Sequence, residues 1–155
     1  MPLPALTAEA LAPFATVLRA KDGKFTDFPQ VLERSDTPGH HAFAILCPQP
    51  AMGTTVSIAS LERHPHSTQS FVPISAGRWI VVVAPTLADG SPDVANVRAV
   101  VAGPEDAICI GRNVWHAGLT VLDRPAEFGM ILWRADAGDD GIVFDLPQPI
   151  VLSVG

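Results

Sequence analysis

The chain is poor in the features that mark several large classes of protein. Its two cysteines, Cys47 and Cys109, lie far apart and form no CxxC pair. A disulfide framework or zinc knuckle therefore has no support, and a reducing cytoplasm is the expected setting. The ten basic residues are scattered singly against sixteen acidic ones, for a formal net charge of −6. No surface for tracking the phosphates of a nucleic acid is expected from that distribution. No basic segment followed by a long apolar run opens the chain, because the first basic residue is Arg19 and Pro4 and Pro13 interrupt what precedes it. Neither a signal peptide nor a membrane anchor is expected. Repeats, low-complexity tracts and flexible linkers are also missing.

What is present is apolar and extended. A chain of 155 residues, 48% hydrophobic and 17% charged, fits one compact domain over residues 1–155 with a sizeable core and one pocket. Thr7 is placed to cap a short helix through Ala8-Glu9-Ala10-Leu11, which Pro13 stops and which reads as a small lid. From Val17 to Gln49 the chain reads as irregular, with short strands at Phe14-Leu18 and Ala42-Cys47. Thr54-Thr55-Val56-Ser57-Ile58 then alternates polar and apolar residues, many of them β-branched, as a half-buried strand does. Further strand-like runs follow near Ser70-Ile74, Arg78-Ala84, Val97-Val101, Ala107-Ile110, Ala117-Leu122, Phe128-Arg134 and Ile142-Leu146, parted by turns rich in Gly and Pro. Many short strands with almost no helical periodicity point to an all-β sandwich or barrel.

Three of the five histidines fall within this β-rich region: His64 and His66 in His64-Pro65-His66-Ser67-Thr68-Gln69, and His116 after Trp115. On a strand, residues two apart face the same way, so His64 and His66 are expected to point into one space. Two imidazoles from one strand and a third from a neighbour would make an open face of a metal site, with Gln69 as a weaker oxygen ligand. The alternative is that these histidines only bond substrate, or sit satisfied in the core and at its rim.

Arg63 and Arg112 flank the two histidine segments, and a planar guanidinium grips a carboxylate through paired hydrogen bonds. An anionic substrate would suit them, although Arg63, adjacent to His64, would face the opposite way on an ideal strand and serves equally well as a surface or subunit-contact residue. Glu62 shares the parity of His64 and His66 and is a candidate general base, metal ligand or tautomer-fixing carboxylate; an ordinary ion pair with an arginine is the competing reading. Trp115 is expected to pack and position His116, Cys109 to be a small buried hydrophobe, and His40-His41 to lie in a solvated loop.

The stretch from Leu61 through His64-Pro65-His66 to Ile74, then Ile80-Val81-Val82-Val83-Ala84, then Gly111-Arg112-Asn113-Val114-Trp115-His116, closely resembles the ureidoglycolate lyase family of the cupin superfamily. The opening Leu6 to Phe14 and the segment Pro92 to Ala99 extend the resemblance over most of the chain. HxH also resembles the first cupin motif, in which a carboxylate follows the second histidine by four residues; here that position is Ser70, beside Gln69. The resemblance implies a cupin-like double-stranded β-helix, or jelly-roll barrel, with a short N-terminal helix. It implies cleavage of ureidoglycolate to glyoxylate and urea in allantoin and purine catabolism, by a cytoplasmic homodimer acting on a small anionic ureido acid. His64, His66, Gln69 and His116 become the expected catalytic residues and Arg112, Arg63 and Glu62 the expected substrate contacts. A divalent ion (Ni, Zn, Mn or Fe) is expected on His64, His66 and His116. The chain departs from the family pattern in carrying His66 where a small or apolar residue is usual and Ala117 where a second histidine is common, and its C-terminal stretch from Asp136 to Gly155 matches poorly. The competing readings are a metal-dependent cupin of another class, a dioxygenase or isomerase, and a cupin that binds a small ligand without turnover.

Overall fold

Period-two alternation decides how the chain is layered. In Trp79–Ala84 every residue is buried, with Trp79, Val81 and Val83 entering one apolar cluster and Ile80, Val82 and Ala84 another. Such a strand must be covered on both faces. The computed structural model describes residues 2–138 and 140–155, so Asp139, within the expected Asp136 to Gly141 turn, lies outside the described residues.

The chain forms α1 (Ala8–Leu11), β1 (Ala15–Leu18), β2 (Gly39–Leu46), β3 (Thr55–Arg63), β4 (Gln69–Ser75), β5 (Trp79–Ala84), β6 (Arg98–Ala102), β7 (Ala107–Ile110), β8 (Trp115–His116), β9 (Thr120–Val121), β10 (Glu127–Ala135) and β11 (Ile142–Ser153). One sheet runs β1-β7-β4-β10-β2 and the other β11-β3-β8-β5-β6, with β9 also on β5, and the paired strands are antiparallel. The protein is thus all-β, a cupin-like double-stranded β-helix with a short N-terminal helix, as expected. Between the sheets lies a core that includes Phe71, Trp79, Val83, Ile108 and Phe128. Trp79 meets Phe128 edge to face, ring centroids 5.1 Å apart. Such a pair contributes about 0.5–1.5 kcal/mol beyond its area burial.

Four expectations need correction. The helix is no lid: Thr7 caps it, accepting from the Ala10 N–H, but Leu11 is wholly buried in the inter-sheet core beside Ala15 and Val100. His40 and His41 lie in β2, not in a loop, and His41 stands edge-on to Trp133. The strand expected at Ala117-Leu122 shortens to β9, and a separate two-residue strand, β8, precedes it at Trp115–His116. The C-terminal stretch extends as a strand to Ser153, because its prolines fall at the register break between Asp145 and Ile150, where no ladder hydrogen bond is lost.

That break has a counterpart in β3. Val56, Ile58 and Leu61 all enter the outer cluster, so the alternation slips by one residue after Ile58. Arg63 thereby follows Leu61 outward and lies over the Trp115 ring, 4.6 Å from its centroid. Glu62 is turned inward to pair with His116.

Candidate functional site

His116 is placed by a two-residue strand. β8 pairs with β3 on one side and β5 on the other, so Trp115 faces the outer cluster and His116 faces the barrel interior, 1% exposed. The Val114 carbonyl lies 2.9 Å from Nδ1 and can only accept, so Nδ1 carries a hydrogen. Nε2 lies 2.9 Å from Oε1 of Gln69, the first residue of β4 on the opposite sheet, and 3.5 Å from a Glu62 oxygen. With Gln69 in this orientation Nε2 faces two acceptor oxygens, of the amide and of the carboxylate. Among the described residues the Gln69 amide nitrogen donates only to the Met130 sulfur, at 3.4 Å. A thioether is a weak acceptor, so the amide turns at little cost to donate to an unprotonated Nε2. The amide can thus meet Nε2 with either its oxygen or its nitrogen.

Glu62 is half-buried, and its carboxyl is held well below the ordinary carboxylate range, chiefly by its contact with the His116 ring and then by His64, against the upward push of burial. It is therefore ionised near neutral pH and has little affinity for a proton. A charge partner or ligand suits it better than a general base.

His64 lies one residue past the end of β3, where Pro65, lacking an N–H, cannot continue the ladder. Its ring is 5.4 Å from that of His116, centroid to centroid. Among the described residues both its nitrogens are buried without a hydrogen-bond partner: Glu62 stands 3.9 Å from Nε2 and Asp140 stands 3.8 Å from Nδ1. Donor atoms of Glu62, His64 and His116 fall within 4.8 Å of one another, so this group could hold a metal ion. The unpartnered His64 nitrogens and the mixed imidazole and carboxylate donors both fit a divalent transition ion.

His66 does not join them. Beyond Arg63 the backbone leaves the strand, so the rule that residues two apart share a face no longer applies. The His66 Nδ1 instead lies 3.0 Å from both the Ser35 and the Thr37 hydroxyls. Arg63 is on the outer face, as described, and Arg112 is exposed and donates from Nε to the Pro65 carbonyl at 3.0 Å. Neither lines the cavity beside Glu62 and His64.

That cavity measures about 520 Å³ and opens between β10 and the start of β11. This falls within the usual range for a small-molecule site. Three of its polar residues, Asp136, Asp140 and Arg134, were not among the expected site residues. Asp140, 7% exposed, accepts from the His66 N–H at 2.8 Å and the Ser67 hydroxyl at 2.9 Å. Arg134 stands near the end of β10. Asp140 was hidden in what reads as a turn; Arg134 could have been found from the alternation Phe128, Met130, Leu132, Arg134.

Fold and site together define a cupin-type barrel with a carboxylate and two imidazoles at one end of its interior. The chain belongs to the ureidoglycolate lyase family, whose model matches residues 1–152. The match therefore includes nearly all of the C-terminal stretch from Asp136, which the sequence pattern sets apart from the family. The chain is 30% identical to the ureidoglycolate lyase of Chelativorans sp. (strain BNC1) over 93% of its own length and 90% of the relative's. It is 40% identical to that of Escherichia coli (strain K12 / DH10B) over 52% of its own length and 48% of the relative's. Among solved structures, RmlC from Streptococcus suis in complex with dTDP-D-xylose is 12% identical, with a TM-score of 0.48 covering 86% of this chain and 70% of that one. That likeness is too slight to bear on function.

Proposed function

We propose that the protein cleaves ureidoglycolate to glyoxylate and urea in allantoin and purine breakdown, in the cytoplasm, as a single-domain homodimer. The observation that carries this reading is the His116–Gln69 contact beside Glu62, buried within a chain that matches the lyase family over almost its whole length.

The reaction moves one proton. A base takes it from the substrate hydroxyl, the oxygen electrons form the new carbonyl, the carbon–nitrogen bond breaks, and the departing urea nitrogen takes a proton. A single group that accepts and then returns the proton satisfies the balance. His116 Nε2 is that group: Nδ1 is fixed by the Val114 carbonyl, Glu62 stabilises the charged ring, and the turning Gln69 amide follows the change of state. Gln69 also orients the hydroxyl or the urea, and His64 presents its unpartnered nitrogens to the substrate. His66 and Arg112 serve by fixing the segment 64–66, through Ser35, Thr37 and the Pro65 carbonyl, without touching substrate.

A divalent ion (Ni, Zn, Mn or Fe) would be held by Glu62, His64 and His116, and when bound would supply Lewis acidity toward substrate oxygens. The Nε2 lone pair of His116 serves either an ion or proton transfer, so chelator sensitivity separates the two. The homodimer reading is supported by the outward face of the first sheet, where Phe43, Ile45 and Ile74 are more than half exposed.

The test is release of glyoxylate and urea from racemic ureidoglycolate against the spontaneous background, before and after chelation and with each ion restored. Equal amounts of both products well above background support the lyase. No release under any ion rules out the substrate.

A further inference from the structure

We infer that Arg134 is the residue that recognises the substrate's carboxylate. The inference rests on the ureidoglycolate reading, whose substrate carries a carboxylate.

The cavity's own charges pose the problem. Glu62, Asp136 and Asp140 all line it. An anion entering among these carboxylates is repelled unless a fixed positive charge meets it. Arg134 is the one arginine or lysine lining the cavity among the described residues. The two arginines that the sequence favoured are committed elsewhere, Arg63 over Trp115 and Arg112 at the Pro65 carbonyl.

The strand places Arg134 correctly for the task. Phe128 and Met130 of β10 pack into the inter-sheet core, and Met130 meets the amide of Gln69. Alternation then carries Leu132 and Arg134 onto that same face as the strand runs toward the cavity. The backbone of Arg134 is fixed by pairing with His40 of β2. Its side chain is exposed, and no ion pair or side-chain hydrogen bond engages it among the described residues. A guanidinium so placed can take both oxygens of a carboxylate, leaving the rest of the substrate to the Glu62 and His64 side of the cavity, where both residues approach His116.

The experiment compares the wild-type protein with Arg134→Gln and Arg134→Lys, measuring kcat and KM for ureidoglycolate and product inhibition by glyoxylate and by urea. Because a charged hydrogen-bond pair is lost, Arg134→Gln should raise KM and the glyoxylate inhibition constant about 10- to 100-fold, with kcat changed far less. Inhibition by urea, which has no carboxylate, should stay as it is. Arg134→Lys, which keeps the charge without the planar fork, should fall between. Unchanged KM and glyoxylate inhibition in Arg134→Gln would overturn the inference while the lyase reading stood. If the wild type turns over no ureidoglycolate, that reading fails by itself, and calorimetric titration with glyoxylate and oxalate decides the carboxylate role. Binding lost in Arg134→Gln supports it; equal binding, or none to the wild type, overturns it.

Discussion

His116 and Gln69 touch across the gap between the two sheets, Nε2 to Oε1 at 2.9 Å, one residue supplied by a strand of each. His116→Ala should lower kcat by roughly 10²–10⁴, the usual worth of a positioned acid–base group. Gln69→Ala should lower it less, about tenfold, because the imidazole remains but loses the partner that accompanies its change of state. Steady-state kinetics alongside far-ultraviolet circular dichroism checks both. An unchanged kcat in both variants would move the chemistry away from this pair.

Divalent-ion binding separates the ligand set seen here from the one the sequence suggested. Glu62→Gln and His64→Ala should each weaken binding of nickel or zinc at least as much as loss of a supporting residue does, about 10- to 100-fold, while His66→Ala leaves it within a few-fold. Equilibrium dialysis against each ion measures this. Strong loss in His66→Ala alone would restore the original three-histidine set.

Asp140 ties the β10–β11 connection to the histidine segment through the His66 N–H and the Ser67 hydroxyl. Asp140→Ala strands both donors, at about 1–3 kcal/mol for each that stays buried and unpaired. Asp140→Asn keeps one acceptor oxygen and should cost less. Urea titration should show a lowered midpoint with an unchanged slope.

Arg78 closes the turn around Gly77 by donating to Asp123 from its backbone N–H at 2.9 Å and from Nη2 at 2.8 Å. A Cβ at Gly77 would stand 3.0 Å from an Asp123 oxygen, which leaves little room for any other residue there. The Arg78 hydrogen bonds hold the Asp123 carboxyl below its ordinary range. Its folded value therefore lies below its unfolded one of about 3.9, so its contribution is fully present above that pH and is lost as pH falls through the lower value. Asp123→Asn should be less stable than the wild type at neutral pH, and the gap in melting temperature should close on acidification below about pH 4. Added salt should narrow it too, because the pair is largely exposed.

The strands were legible where alternation and β-branching coincide, as at the start of β3, and where a short apolar run stands between turns, as in β5. The site was legible in composition but not in arrangement. Glu62, His64, Gln69 and His116 were all among the expected residues, yet His66 was grouped with them by a parity that ends at Arg63. The inward turn of Glu62 comes from a slip within β3 that is matched by the register break in β11, a pairing some 85 residues distant and invisible to local periodicity. Asp140 and Arg134 gain their meaning only when the start of β11 comes to lie beside the end of β10. Such non-local contacts are what single-sequence patterns cannot carry.

The bond between His116 and Gln69 makes alignment of the two layers a condition for chemistry. Hydrogen bonds weaken within a few tenths of an ångström of stretch, so a small shear of one layer past the other would silence the site while every strand kept its own neighbours. On warming, catalysis should fade before the β-structure melts, and whatever clamps the layers together, including a bound carboxylate held at Arg134, should lengthen the protein's working life.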